Sequence, residues 1–435
     1  MSVTQLQPVT SEHLLHYIWR TKQFHCTSLR LHDGRRLEIL DFGRYNTNSG
    51  PDFLHGKIRI DDTILAGHIE LHIKSSDWNA HDHHHDPAYN NVILHVVSRH
   101  DREIRTQKGV ILPTLEISEY MDDSILKRYD MMSIEFDGIP CKRLYPGRLP
   151  EAIWNIWKER LNIERLQSRA GRVQSCIETS MQDWDDLLFR QTFICMGTNV
   201  NKDAFRLLAD RLDHKTFMRI RQDEYASHAY VFGMAGLLEG FHENLYYQRI
   251  RSEFQFLKAK FDLQPLNAVI WKYSRMHPSN FPDIRIAQTV ELLRKHEHFF
   301  AVILECNSIT ELRKVLEPDH LPEFWDEHYR MGTESRVRKK ALGRSTRDLI
   351  IINGIIPLLF MYGHHQHQPH LQERALRLLE ELPGEQNHII RMWSELGIKS
   401  TSAQDSQALI QLKNNYCDAK RCLQCSIGHE LLKRR

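Results

Sequence analysis

Net charge is the first thing this sequence lacks: 58 Lys and Arg against 56 Asp and Glu leave +2 across 435 residues. So even a balance argues against a chain that is basic along its length, and any nucleic-acid surface is expected to be local. Long apolar runs are missing too. No stretch is predicted to span a bilayer, and the amino end, MSVTQLQPVTSEHLL, lacks the basic-then-apolar shape of a secretion signal. Eight cysteines in a chain of this length make no disulfide framework; five are scattered and three crowd towards the carboxyl end. The expectation is a reduced, cytoplasmic protein without a membrane partner. No constant-period repeat is present, which excludes a regular solenoid.

What the chain has in excess is histidine, 27 residues gathered chiefly at His81–His85 and His364–His370. Upstream of the first cluster lies the most regular pattern. Pro51-Asp52 opens a strand-like run, Lys57–Ile60 continues it, Asp61-Asp62 turns it, and Ile64–Lys74 returns. In the last half of the return Ile69, Leu71 and Ile73 alternate with Glu70, His72 and Lys74. Residues two apart share one side of a strand. One face can therefore be buried, while the other aligns a carboxylate, an imidazole and an ammonium, with Asp52 one hairpin away. Metal-assisted phosphodiester cleavage uses such a set: carboxylates hold a divalent cation, the cation acidifies a bound water, and an ammonium offsets charge on the phosphorane. The plain alternative is the solvated outer face of an antiparallel sheet.

Around this hairpin, Ser11–Arg20 reads as a helix capped by Ser11. Asp33-Gly34 reads as the turn between two strands, Ser28–Leu31 and Arg36–Asp41. Val92–Ser98 reads as a strand buried on both faces, with His95 a hydrogen-bonded core histidine. Two further strand-like runs, Glu103–Thr106 and Val110–Ile117, complete an α/β domain over residues 1–120. A linker follows over 121–149, marked by Gly138, Pro140, Pro146 and Gly147. Helical periodicity begins at Ala152–Arg172 and recurs at Trp184–Met196, Lys202–Leu212, Ile286–Leu304 and Leu371–Leu382, so 150–435 is predicted to be an all-helical domain. The fold class is α+β.

Two resemblances follow from these residues. The stretches LEILDFGRYNTNSGPDF, GHIELHIKSSDW, DPAYNNVILHVV, NFPDIRIAQ and NNYCDAKRCLQCSIG resemble, over the full length, a bacterial family of unknown function. Residues 11–98 resemble the core of the restriction-endonuclease-like PD-(D/E)XK nuclease superfamily, which runs helix, three-strand antiparallel meander, helix, strand. The second resemblance implies Mg²⁺ or Mn²⁺ held by Asp52 and by Glu70, 18 residues later (70 − 52), with Lys74 as the assisting lysine. It also offers Glu12 as an accessory carboxylate. The chain departs from the usual acid-x-Lys by reading Glu70-x-His72-x-Lys74. Either the lysine lies one pleat further along the same face, or His72 takes the place of the second acidic ligand, as ligand or base. The implied function is a divalent-metal-dependent phosphodiesterase acting on nucleic acid, DNA ahead of RNA, with Asp52, Glu70, His72 and Lys74 catalytic. The alternative is a non-catalytic nucleic-acid-binding or scaffold protein that retains the fold. A third reading, a hydrolase of another substrate, needs the imidazoles of His81–His85 to converge on the same carboxylates; otherwise that tract is a polar loop.

Cys417-x4-Cys422-x2-Cys425-x3-His429 is the other constellation. Its spacing suits a structural Cys3His zinc site. Behind zinc, the spacing also matches iron–sulfur ligation with a distant fourth cysteine such as Cys26, and some DNA-repair members of the nuclease superfamily staple their nuclease domain with one early and three late cysteines. The basic run Arg336, Arg338, Lys339, Lys340, Arg344 and Arg347 reads as a solvated helix face.

Overall fold

The computed structural model describes residues 9, 11–133, 138–144, 150–179, 183–198, 200–240 and 242–433. Helix α1 (Glu12–Thr21) buries Leu14, Leu15, Ile18 and Trp19 along one stripe, and Lys22 ends it in the left-handed conformation. Strands β1 (Leu29–Arg30) and β2 (Arg36–Asp41) flank the Asp33-Gly34 turn, with Gly34 at φ +87°. Then come β3 (Arg44–Tyr45), β4 (Phe53–Ile60), β5 (Thr63–Lys74), β6 (Val92–Arg99) and β7 (Thr114–Glu116). They form one sheet in the order β1-β2-β4-β5-β6-β7, with β3 on β4. The meander β2-β4-β5 is antiparallel as expected, whereas β6 runs parallel to β5 and β7 parallel to β6. Parallel neighbours need a crossover. Residues 75–91 provide it, with a one-turn helix α2 (Asp77–Ala80) and a 3₁₀ turn at Pro87–Tyr89. Of the two further strands expected, β7 and an isolated bridge between Arg105 and Ile111 form among the described residues; Val110 and Ile111 stay exposed.

Strand β5 is buried on both faces. Ile69 and Leu71 lie on one side, while Glu70 and His72, at 4% and 2% exposure, are covered on the other. The solvated face of the plain alternative is thereby corrected: the crossover lies over it. Gly67 permits the close pairing of β5 with the start of β6, since a Cβ there would meet the Asn91 carbonyl oxygen at 2.4 Å and an Ile93 methyl at 2.5 Å. Gly67→Ala is expected to destabilise the protein by about 1–3 kcal/mol, as overpacking does. Urea unfolding checks this; an unchanged midpoint would show that the strands separate freely here.

The chain divides into two compact units, 1–157 with 391–398 and 410–435, and 158–390 with 399–409. The stretch expected as a linker therefore belongs to the first unit, and it holds α3 (Asp123–Ser133) and a 3₁₀ turn at Pro140–Arg143; Pro146 and Gly147 lie outside the described residues. The division falls within α4 (Glu151–Thr179). Among the described residues the second unit is helical apart from one short antiparallel pair, His328–Arg330 with Thr333–Glu334, which corrects the all-helical expectation over 150–435, as does the assignment of 391–398 and 410–435 to the first unit. Helices of the second unit are capped by Asp183, Asp213, Asp223, Asn244 and Ser308, whose side chains accept backbone N–H groups. The helices Glu224–Met234 and Pro282–Lys295 are buried along most of their length and form its centre. The single helix expected over Ile286–Leu304 is two, Pro282–Lys295 and Phe299–Glu305. One continuous helix, Arg344–His365, is long and apolar enough to cross a membrane, which the sequence reading did not expect; 78% of its apolar window is buried inside the protein. The basic run is partly consumed internally: Lys340 donates to the Asp326 carbonyl, Arg338 to the Tyr329 hydroxyl and Arg347 to the Arg313 carbonyl.

Candidate active site

Antiparallel pairing sets Phe53 opposite Ile69, so Asp52, just before β4, falls beside Glu70. The Asp52 N–H donates to Glu70 Oε2 at 2.9 Å, and Asp52 Oδ2 accepts the Leu71 N–H at 3.0 Å. The two acids predicted from spacing thus meet. His16, on the polar side of α1, brings Nε2 to 3.1 Å from Asp52 Oδ2. Glu12, one turn earlier, lies near enough to act electrostatically on both Glu70 and His83.

The crossover supplies what the strand lacks. Asp101 accepts from the Ser75 and Ser76 hydroxyls and the Ser76 N–H, pinning the end of β5. The Trp78 indole, fully buried, donates to the Arg105 carbonyl at 3.1 Å. Behind these anchors the chain turns His83 inward, stacked on Tyr89 at 3.8 Å between ring centroids, with Nε2 3.3 Å from Glu70 Oε1. His72 Nε2 lies 3.9 Å from the same oxygen and 3.1 Å from His81 Nδ1. The ligand atoms of His72, His81 and His83 are all within 4.8 Å of one another. His72 and His83 therefore stand beside the Glu70 carboxylate and His81 beside His72; of the tract His81–His85, His83 is placed against that carboxylate. A second group, Asp82, His84 and His85, lies within the same spacing, with Asp82 and His85 exposed and His84 partly covered.

Lys74 does not join them. Its backbone N–H donates to Asp77, and its side chain is exposed near Asp101. Four residues of strand separate it from Glu70 by about 13 Å, at about 3.3 Å per residue. Of the two explanations of the altered motif, the geometry favours His72 as the replacement ligand.

Burial, reinforced by the Asp52 carboxylate, pushes the Glu70 carboxyl up to about 8. Two adjacent acids out of water cannot both ionise cheaply. Burial and the neighbouring imidazoles of His83 and His81 bring His72 down to about 3, so it is neutral, as a metal-ligating imidazole must be. His72 Nδ1 lies 2.8 Å from His95 Nε2, and His95 is wholly buried. When the proton sits on His72 Nδ1 and is donated to His95, Nε2 presents its lone pair to the cluster. His95 is the hydrogen-bonded core histidine expected, and it holds the His72 ring in place. His95→Phe is expected to weaken divalent-metal binding by about 10- to 100-fold. Calorimetric titration with Mn²⁺ checks this, and unaltered affinity would assign His95 to packing alone.

The carboxyl-terminal constellation separates. Cys417, Cys422 and Cys425 line one cavity, but its fourth cysteine is Cys141; His429 is turned to Tyr17, with Nδ1 2.9 Å from the hydroxyl, and Cys26 is exposed elsewhere.

The model of a family described as "Protein of unknown function (DUF2851)" matches residues 12–388. No curated protein and no solved structure matches the chain.

Proposed function

The chain belongs to that family of unknown function, and from the site itself we propose that its first unit is a divalent-metal-dependent phosphodiesterase acting on nucleic acid, DNA ahead of RNA. The observation that supports this reading is the imidazole cluster of His72, His81 and His83 beside the Glu70 carboxylate, which also accepts the Asp52 N–H. The order of elements, α1, then the meander β2-β4-β5, then α2, then β6, supports it, because it is the order of the nuclease core that residues 11–98 resemble.

In this reading Glu70, His72 and His83 hold the cation, Asp52 shares or flanks it, and His81 completes the set from the open side. A cation held there would supply an acidified water and offset the charge that develops on the phosphate. A set this rich in imidazole prefers Mn²⁺ or Zn²⁺ over Mg²⁺. His16, close to Asp52 and partly exposed, is placed to relay the proton that the attacking water gives up. Lys74 is given no part in the reaction, so the charge that a lysine would offset falls to the metal.

The test is cleavage of end-labelled single- and double-stranded DNA by the full chain with Mn²⁺, Zn²⁺ or Mg²⁺, against the same protein in chelator and against Asp52→Asn. Metal-dependent cutting that Asp52→Asn loses supports the reading. Cutting that survives the substitution overturns it. Binding of DNA without cutting, under every metal, would favour the scaffold alternative, which the displaced Lys74 is the one observation to recommend.

A further inference from the structure

All seven described cysteines are free thiols, and four of them, distant in sequence, line a single cavity in the first unit. It is partly open to solvent. Cys141 enters from the 3₁₀ turn Pro140–Arg143; Cys417, Cys422 and Cys425 enter from the segment 410–435. The rest of the lining is apolar or aromatic, including Trp393, Leu412 and Ile427. Thiols meeting in such a wall are not needed for packing, since any small apolar side chain would fill it.

Two details mark the sulfurs as ligands. A Cβ at Gly428 would lie 2.1 Å from the Cys422 carbonyl oxygen, so only glycine lets the chain fold back and bring Cys425 into the same cavity as Cys422. Cys425 also receives the backbone N–H groups of Ile427 and Gly428, and the Trp157 indole is directed at it. Amide donors aimed at a sulfur stabilise a thiolate and tune the metal it holds.

Spacing discriminates between metals. A single tetrahedral zinc at about 2.3 Å from each sulfur would hold the sulfurs about 3.8 Å apart. Among the described residues the groups whose ligand atoms all lie within 4.8 Å of one another are the two histidine clusters, and the four thiols are not such a group. Thiolates set wider than a mononuclear site suit a cluster whose irons and sulfides lie between them. We propose that Cys141, Cys417, Cys422 and Cys425 are the four protein ligands of an iron–sulfur cluster that fastens the segment 410–435 into the first unit. For a four-iron core, assembly consumes two ferrous ions, two ferric ions (which supply the oxidising equivalents) and four sulfides, forms four iron–thiolate bonds and releases the four thiol protons to solvent.

The experiment is anaerobic purification of the full chain, with iron, zinc and acid-labile sulfide quantified and the visible absorption recorded. A second arm strips the wild type by oxidation with chelator and rebuilds it with ferrous iron, ferric iron and sulfide. Iron and sulfide in near-equal amounts are expected. They should disappear in Cys141→Ala and Cys422→Ala and persist in Cys26→Ala and Cys306→Ala. Limited proteolysis should cut 410–435 faster in stripped protein and be reversed on rebuilding, which keeps the inference testable if Cys141→Ala fails to fold. Zinc without sulfide, no metal at all, or loss of iron in Cys26→Ala would each overturn it. None of these readouts depends on DNA cleavage, so this inference and the proposed function can fail separately.

Discussion

Glu70→Gln should reduce metal-dependent cleavage by at least ~10²-fold while making the metal-free protein more stable at alkaline pH. Both halves follow from one placement. The carboxylate is the oxygen ligand closest to His83 and His72, and an amide of the same shape brings no negative charge to the cation. Without metal the same group is a liability. Its carboxyl is raised to about 8 when folded, against about 4.3 in an unfolded chain. The folded state then holds a proton that the unfolded state gives up. The stability this lends is complete below about pH 4 and is lost as pH climbs through about 8. The amide introduced by Glu70→Gln would not titrate. In chelator, melting temperatures of the wild type should fall between about pH 5 and about pH 9 more steeply than those of the variant. Parallel curves would sink the argument that Glu70 is buried beside Asp52 without a counter-charge.

The second large effect is structural. Trp78→Ala should cost about 3–5 kcal/mol and abolish tight metal binding together with it. The indole is fully buried, donates to Arg105, and meets the rings of His83, Tyr89 and His95 edge-on at 5.4, 5.7 and 5.5 Å. Removing it leaves a cavity, an unpaired carbonyl and an unsupported crossover. Trp78→Phe should recover most of the packing and little of the hydrogen bond. Chemical denaturation with and without Mn²⁺ measures both terms. A variant that is destabilised yet binds metal as tightly as the wild type would show that the crossover is positioned by other anchors.

The sequence made some of this legible and hid the rest for identifiable reasons. Asp52 and Glu70 could be paired because hairpin register follows from strand alternation. His72 followed from the same face of the same strand. The inward turn of His83 could not be read, because adjacent residues in a loop point several ways and only Trp78, Tyr89 and Asp101 fix which of them faces Glu70. His16 was passed over for a related reason: on an amphipathic helix a polar residue signals the outward face, and what lies over that face is tertiary information. Lys74 was misread because a matching residue type on the right face was allowed to outweigh distance along the strand. Cys141 carries no local signal at all. It is one cysteine beside a proline, and only the fold brings it to Cys417, Cys422 and Cys425. The meander, by contrast, was predictable, and the parallel direction of β6 required only that a connection as long as 75–91 be taken as a crossover.

The discontinuity of the first unit has a consequence for the order in which the molecule can be made. Residues 1–157 leave the ribosome early, yet 391–398 and 410–435 are part of the same unit. The nascent amino-terminal sheet must wait through the synthesis of the entire helical unit before its remaining pieces emerge. A ribosome that stalls or terminates within the helical unit releases a product whose first unit lacks those pieces, including three of the four cavity cysteines. Completion of that unit is thereby coupled to synthesis of residues 410–435.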